Sequence, residues 1–225
     1  MNWEDEGFVI GKRRFRENAI ILDIFTPKFG KTSGIVYGGT SRKVRNHLQL
    51  MNKIFIIHTS KSENKIGYFK TELIKPISPK YFDNKNKILC LNSLSSILKS
   101  TLPENQSHKK IYDSLCFLLD NFSKENWMNL YLNWEVQLIQ NLGFGFNIDK
   151  TDTQKNFNEN TISINVDNVL YKMPKFLISK NEEKLDNNDI YNGLSFVRNL
   201  LENKFFNPNN LRFPYSRKLL EKKFI

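Results

Sequence analysis

The chain has 225 residues, 40% of them hydrophobic and 13% aromatic, and a formal net charge of +11. That much apolar side chain fills one large or two small cores and excludes a disordered tail. No apolar run approaches the ~20 residues of a membrane-spanning helix. The acidic start Met1-Asn-Trp-Glu-Asp-Glu6 also lacks a secretory signal pattern, so the expectation is a soluble cytoplasmic protein.

The charge is unevenly spread. Residues 1–80 hold 15 Lys and Arg against 7 Asp and Glu; residues 81–150 hold 7 against 7, and residues 151–225 hold 12 against 9. An Asn-, Lys- and Ile-rich composition inflates the lysines but does not explain the arginines. A basic module followed by a neutral one suggests a nucleic-acid-binding head on a helical body. Cys90 and Cys116 are too few for a disulfide framework and read as reduced thiols. His47, His58 and His108 lie too far apart to form a metal-ligand spacing.

Five β-like segments come first: Gly7–Ile10, Ala19–Phe25, Thr32–Tyr37, His47–Thr59 and Lys65–Ile74. Pro27-Lys-Phe-Gly30 is a tight turn between the second and third. Five short strands in about 75 residues predict a compact OB-type barrel over residues 1–80. Such barrels bind nucleic acid with a cationic groove and aromatic side chains on which bases stack. Lys12-Arg-Arg-Phe-Arg16 follows the first segment, Lys28, Phe29 and Lys31 sit at the next turn, and Gly38-Gly39 opens a cationic loop with Arg42, Lys43 and Arg45. Glycines there admit turn conformations closed to other residues. Phe15, Phe29 and Tyr37 fit either base platforms or barrel core.

Past Pro76 and Pro79 the period lengthens to about 3.6. Ile88, Leu91, Leu94, Ile97 and Leu98 form one helical stripe. Ser107 is placed to cap a second helix (Ile111, Leu115, Leu118, Leu119, Phe122), and Ser123 a third. The third carries Trp127, Leu130, Tyr131, Trp134, Leu138 and Leu142 and stops at Gly143. Asn181–Asp189 reads as a loop. Ile190, Leu194, Val197 and Leu201 make a further amphipathic helix that Asn207-Pro-Asn-Asn210 ends. Arg212, Arg217, Lys218, Lys222 and Lys223 cluster with Phe213, Tyr215 and Phe224 near the end, as a basic-aromatic surface or a solvated terminal helix.

An ordered set of motifs runs through these segments. It comprises Trp3-Glu-Asp-Glu-Gly-Phe-Val-Ile10, Glu17-Asn-Ala-Ile-Ile-Leu22, Thr26-Pro-Lys-Phe-Gly-Lys31, Gly38-Gly-Thr-Ser-Arg42, Leu102-Pro-Glu104, Tyr131-Leu-Asn-Trp-Glu135 and Leu142-Gly-Phe-Gly145. Tyr171-Lys-Met-Pro-Lys-Phe-Leu177 is a weaker member. In order and spacing the chain resembles the RecO family of bacterial recombinational repair proteins.

The resemblance implies an α+β architecture: an N-terminal five-stranded OB-fold barrel (1–80) and a mainly helical C-terminal domain (81–225). It implies binding of single- and double-stranded DNA, annealing of complementary strands, and help in loading RecA onto strands coated by single-stranded-DNA-binding protein. RecR and the coating protein's C-terminal tail are the implied partners, with RecF in many bacteria and the nucleoid as the place of action during repair. No membrane partner, no cofactor and no catalytic residue is implied. By position, Arg42, Lys43 and Arg45 are the implied DNA contacts, joined by Arg13, Arg14, Arg16 and Lys31 from the basic turns.

Some relatives carry a four-cysteine zinc site after the Leu-Gly-Phe-Gly motif. Here residues 146–180 contain no Cys and no His, so the segment reads as a metal-free remnant. Thr161–Asn165 and Val169–Tyr171 are expected to form its hairpin. The competing classes are an OB-fold RNA-binding protein and a nucleic-acid-processing enzyme. Against the enzyme, the chain has no Gly-x-x-x-x-Gly-Lys-[Ser/Thr], Lys-x-Asp-Gly or His-Glu-x-x-His motif.

Overall fold

The computed structural model describes residues 2–62, 65–144, 160–166, 169–178 and 185–225. The chain divides into two compact units, Met1–Tyr112 with Pro214–Leu220, and Asp113–Phe213 with Glu221–Ile225.

The first unit is built on strands β1 (Asn2–Arg16), β2 (Ala19–Thr26), β3 (Gly30–Tyr37), β4 (Lys53–Thr59) and β5 (Gly67–Lys75), with helix α1 (Arg42–His47) between β3 and β4. They close into a barrel in the order β1-β2-β3-β5-β4, with β4 returning to β1. This is the expected five-stranded OB-type barrel. Alternation along the strands places Val9, Ile20, Leu22, Ile24, Val36, Ile54, Ile56 and Phe69 inside, with Leu48 closing one end. Burying each such side chain stabilises the fold by about 1.5–3 kcal/mol.

Closure needs small residues where β3 meets β5. Gly34 pairs with Gly67, and a Cβ on Gly34 would stand 2.6 Å from the Phe69 ring, one on Gly67 2.0 Å from His58 Nε2. The expected turn at Pro27–Gly30 is present: Thr26 Oγ1 accepts from the Phe29 amide at 3.1 Å, and Gly30 adopts φ +67°.

Helix α2 (Lys85–Thr101) packs on β1. Ser95 donates to the Ile10 carbonyl, which a bulge between Val9 and Gly11 frees from the ladder. Helix α3 (Lys109–Asp120) brings Tyr112 against Phe8 and Phe25, ring centroids 5.4 and 5.6 Å away. Leu91, Leu94, Ile97 and Leu98 are buried as the stripe predicts.

The second unit holds α4 (Trp127–Ile139), the hairpin β6 (Thr161–Val166) and β7 (Val169–Pro174), and α5 (Asn187–Leu201); α6 (Tyr215–Glu221) follows near the C-terminus. Its core includes Tyr131, Trp134, Ile164, Met173 and Phe206, with Ile190, Leu194, Val197 and Leu201 buried along α5. The β6–β7 pairing is the hairpin expected from the sequence. Residues 146–159, 167–168 and 179–184 lie outside those described.

Several local readings change. Lys12–Arg16 belongs to β1 and is not a turn after it. The expected cationic loop at Arg42–Arg45 is a short helix, and the fourth strand starts at Lys53, not His47. Ser107 does not cap α3; its hydroxyl donates to the Pro27 carbonyl at 2.6 Å. At the head of α4 the cap position falls on Asn126, without a side-chain hydrogen bond, in place of Ser123. Helix α4 gives way after Ile139 to a π-helical turn, Gln140–Phe144, and Gly143, where the helix is expected to stop, leaves helical geometry there at φ +90°. Asn187 already begins α5, with Asp186 as cap, so the loop read to Asp189 stops earlier.

Candidate nucleic-acid interface

The far end of the β1–β2 hairpin carries the cations, and its register sorts them onto two faces. Lys12 stands opposite Leu22 and Arg14 opposite Ile20, both barrel-core residues, so these two share the core-facing side. Arg13 stands opposite Ile21 on the outer side. A bulge between Arg14 and Arg16 inserts Phe15, so Arg16 stands opposite Ala19 and returns to the side of Arg13. Without the extra residue, Arg14 and Arg16 would share a face.

A cavity of about 410 Å³ is lined by Lys12, Arg14 and Arg45 from the core-facing side and by Arg13 from the outer side, with Ile20, Gly39 and Thr40. Lys12 Nζ donates to the Leu48 carbonyl at 2.8 Å. Burial lowers the Lys12 pKa from its ordinary value, and the Arg45 guanidinium lowers it further. Like charges thus converge with no carboxylate among the described lining residues, and a phosphate oxygen there would relieve the repulsion.

Helix α1 extends this cation set. Gly38 takes φ +67° with open space around it, the conformation that favours glycine at the hinge. Ser41 then caps the helix, accepting from the Val44 amide at 3.4 Å. Val44 packs on the barrel core while Arg42, Lys43 and Arg45 stay exposed. Arg42 and Lys43 occupy a first turn that has no acidic residue, where the helix dipole disfavours cations. Among the described residues, Arg14, Arg42, Lys43 and Arg45 have no carboxylate partner.

On the outer side, Arg13 is held by Asp23, Nη1 to Oδ1 at 3.2 Å. Asp23 also accepts from Ser33 Oγ at 2.8 Å and pairs with Lys99 Nζ at 2.9 Å. Burial pushes the Asp23 pKa up, but the Lys99 and Ser33 hydrogen bonds and the charges of Lys99 and Arg13 outweigh it and hold the group below its ordinary value. On the same side of the sheet, Tyr37 and Tyr68 stack at a centroid distance of 5.4 Å and 18° between planes, both exposed. A hydrogen bond with Tyr68 raises the Tyr37 pKa. Arg16 lies over the Phe15 ring, 5.2 Å from its centroid.

Lys31 does not join either group. Its ammonium donates at 2.9 Å to the Lys99 carbonyl near the C-terminal end of α2, a favourable place for a cation. Phe29 is not a free platform either; it stacks on Trp3 at 4.0 Å, with His58 4.7 Å from Trp3. Phe15 and Tyr37 are exposed, not core. Sequence reasoning misses Tyr68, which shows there only as one alternating residue of the last strand. The C-terminal basic surface loses Arg217, which is fully buried. Among the described residues no group of His, Cys, Asp and Glu could hold a metal, and no helix is long and apolar enough to cross a membrane.

A closed β1-β2-β3-β5-β4 barrel followed by a helical C-terminal part, with cations massed on one hairpin and the adjoining helix, defines an OB-fold protein suited to a polyanion. Residues 1–77 match the family model described as recombination protein O, N terminal, and residues 84–218 match its C-terminal counterpart. The chain belongs to the RecO family.

Among curated relatives, the DNA repair protein RecO of Hyphomonas neptunium is 30% identical over 99% of this chain and 98% of its own length. That of Roseobacter denitrificans is 33% identical over 66% of this chain and 62% of its own length. That of Ehrlichia chaffeensis is 33% identical over 71% and 65%. The matches to the last two thus span less than two thirds of those relatives. Among solved structures, an Entamoeba histolytica asparaginyl-tRNA synthetase matches at a TM-score of 0.30 and 10% identity, over 95% of this chain and 59% of its own, too low to bear on the fold.

Proposed function

We propose that this protein is a non-enzymatic mediator of recombinational DNA repair. It binds single- and double-stranded DNA through its barrel, anneals complementary strands, and with RecR helps RecA onto strands coated by single-stranded-DNA-binding protein, whose C-terminal tail it contacts. The observation that carries the DNA-binding step is the convergence of Lys12, Arg13, Arg14 and Arg45 on one cavity with no carboxylate among its described lining residues, extended by Arg42 and Lys43. Such a surface neutralises phosphates whatever the sequence. Holding two polyanions on one cationic body lowers their mutual repulsion and raises their local concentration, which is the physical basis of annealing.

Binding of a labelled oligonucleotide, followed by fluorescence anisotropy from 50 to 300 mM salt as roughly the range over which phosphate contacts are lost, tests this reading. A steep loss of affinity with salt is expected, with a slope reduced by roughly 0.7–0.9 for each phosphate contact removed with Arg14, Arg42, Lys43 or Arg45. A salt-independent affinity, or no binding to DNA, would contradict it.

A further inference from the structure

The two faces of the β1–β2 hairpin differ in chemistry. The cavity on the core-facing side is lined by the cations Lys12, Arg13, Arg14 and Arg45, with no aromatic side chain among its described lining residues. The outer side offers charge and aromatic surface together, because its strand row brings Arg16 towards Tyr37. Arg16 stands opposite Ala19, and Ala19 opposite Tyr37; Arg13 stands opposite Ile21, Ile21 opposite Ile35, and Ile35 opposite Tyr68.

Tyr37 and Tyr68 are 58% and 41% exposed although they are stacked, so each leaves aromatic surface open to solvent, and the Arg16 charge acts on Tyr37 from close by. Bases of a single strand stack on such surfaces, while a duplex keeps its base faces within its own stack.

We propose that the outer face, with Arg16 beside the Tyr37–Tyr68 stack, is a subsite for unpaired bases of single-stranded DNA, separate from the cationic cavity of Lys12, Arg13, Arg14 and Arg45. The proposal rests on the DNA-binding reading above and adds the source of discrimination between single strand and duplex. The Phe15 bulge is the local feature that makes it, since the bulge re-aims Arg16 from the side of Arg14 to the side of the tyrosines. The two faces then hold DNA by different chemistry, and a single strand on one leaves the other free for a second strand.

The test uses the full chain and three labelled probes of equal length: oligo(dT), an abasic single strand, and a duplex. Tyr37→Leu/Tyr68→Leu keeps apolar cover over Ile35 but removes the rings. It should bind oligo(dT) about 10- to 100-fold more weakly and bind the abasic strand and duplex within twofold of wild type. Tyr37→Phe/Tyr68→Phe keeps the stack and should bind all three as wild type does. Arg14→Ala/Arg45→Ala should lose affinity for all three probes alike.

Unchanged oligo(dT) binding by the leucine variant would overturn the proposal. So would an equal loss on all three probes, which would make the tyrosines structural. Wild type that binds none of the probes would overturn the DNA-binding reading itself, a result distinguishable from either of these.

Discussion

Asp23 on β2 holds the guanidinium of Arg13 on β1 at 3.2 Å while its other oxygen pairs with Lys99 of α2 at 2.9 Å. One carboxylate, 4% exposed, therefore fixes a cation of the interface and ties the barrel to the helix packed on it. Asp23→Asn should destabilise the protein by about 1–3 kcal/mol at neutral pH, because one donor set faces a weaker acceptor. Arg13 and Lys99 are half-exposed, which keeps the loss towards the lower end. The folded-state pKa of Asp23 is depressed, so its contribution is full above the ordinary carboxylate value and disappears as pH falls through the folded value. Urea denaturation of wild type and variant should give midpoints that converge under strongly acidic conditions.

His58 also lowers stability on acidification, but in a window nearer neutrality. Burial lowers its pKa from the ordinary imidazole value of 6.5, and its Nδ1 is buried with no hydrogen-bond partner. It stacks on Trp3 and meets the edge of Phe69. The unfolded chain therefore takes up this proton first on acidification, and stability falls as pH drops through about 6.5, levelling off below the folded value. His58→Phe should flatten this part of the pH–stability profile, read from thermal midpoints between pH 7.5 and pH 5 as rough limits of that window.

The Gly34–Gly67 pair predicts a packing failure. Gly34→Ala would drive a methyl to 2.6 Å from the Phe69 ring, which has no room to retreat inside the barrel core. A loss of about 1–3 kcal/mol is expected, measured by chemical denaturation.

How much of this is legible from sequence depends on which forces leave a periodic trace. The barrel strands show as short apolar runs, as in Ala19–Thr26, or as alternation, as in Gly67–Lys75, and α2 and α5 carry stripes at helical spacing, so those elements stand out. Helix α1 has one inward residue, Val44, among cations, and leaves no stripe to find. Lys12–Arg16 reads like a turn because all five residues are exposed, yet the ladder to β2 makes it strand. The Tyr37–Tyr68 stack depends on the parallel contact of β3 with β5, a consequence of barrel closure with no local signature. Burial of Arg217 is likewise set by tertiary packing. Lys31 stands out in the sequence by its charge, which says nothing of the Lys99 carbonyl that receives its ammonium.

Helix α1 also sets stability against function. Arg42 and Lys43 oppose the dipole of their own helix, so Arg42→Glu/Lys43→Glu should raise stability by up to about 1 kcal/mol. The same variant should bind DNA more weakly at low salt. A thermal midpoint above wild type together with reduced affinity in anisotropy would show that these cations are kept for a ligand.

The most direct test of the mediator role is annealing of two complementary oligonucleotides coated with single-stranded-DNA-binding protein, without ATP or added metal. Wild type should accelerate annealing, and Arg14→Ala/Arg42→Ala/Lys43→Ala/Arg45→Ala, with its fold checked by circular dichroism, should lose most of that acceleration. Annealing at the uncatalysed rate with wild type, or undiminished annealing by the folded quadruple variant, would contradict the account.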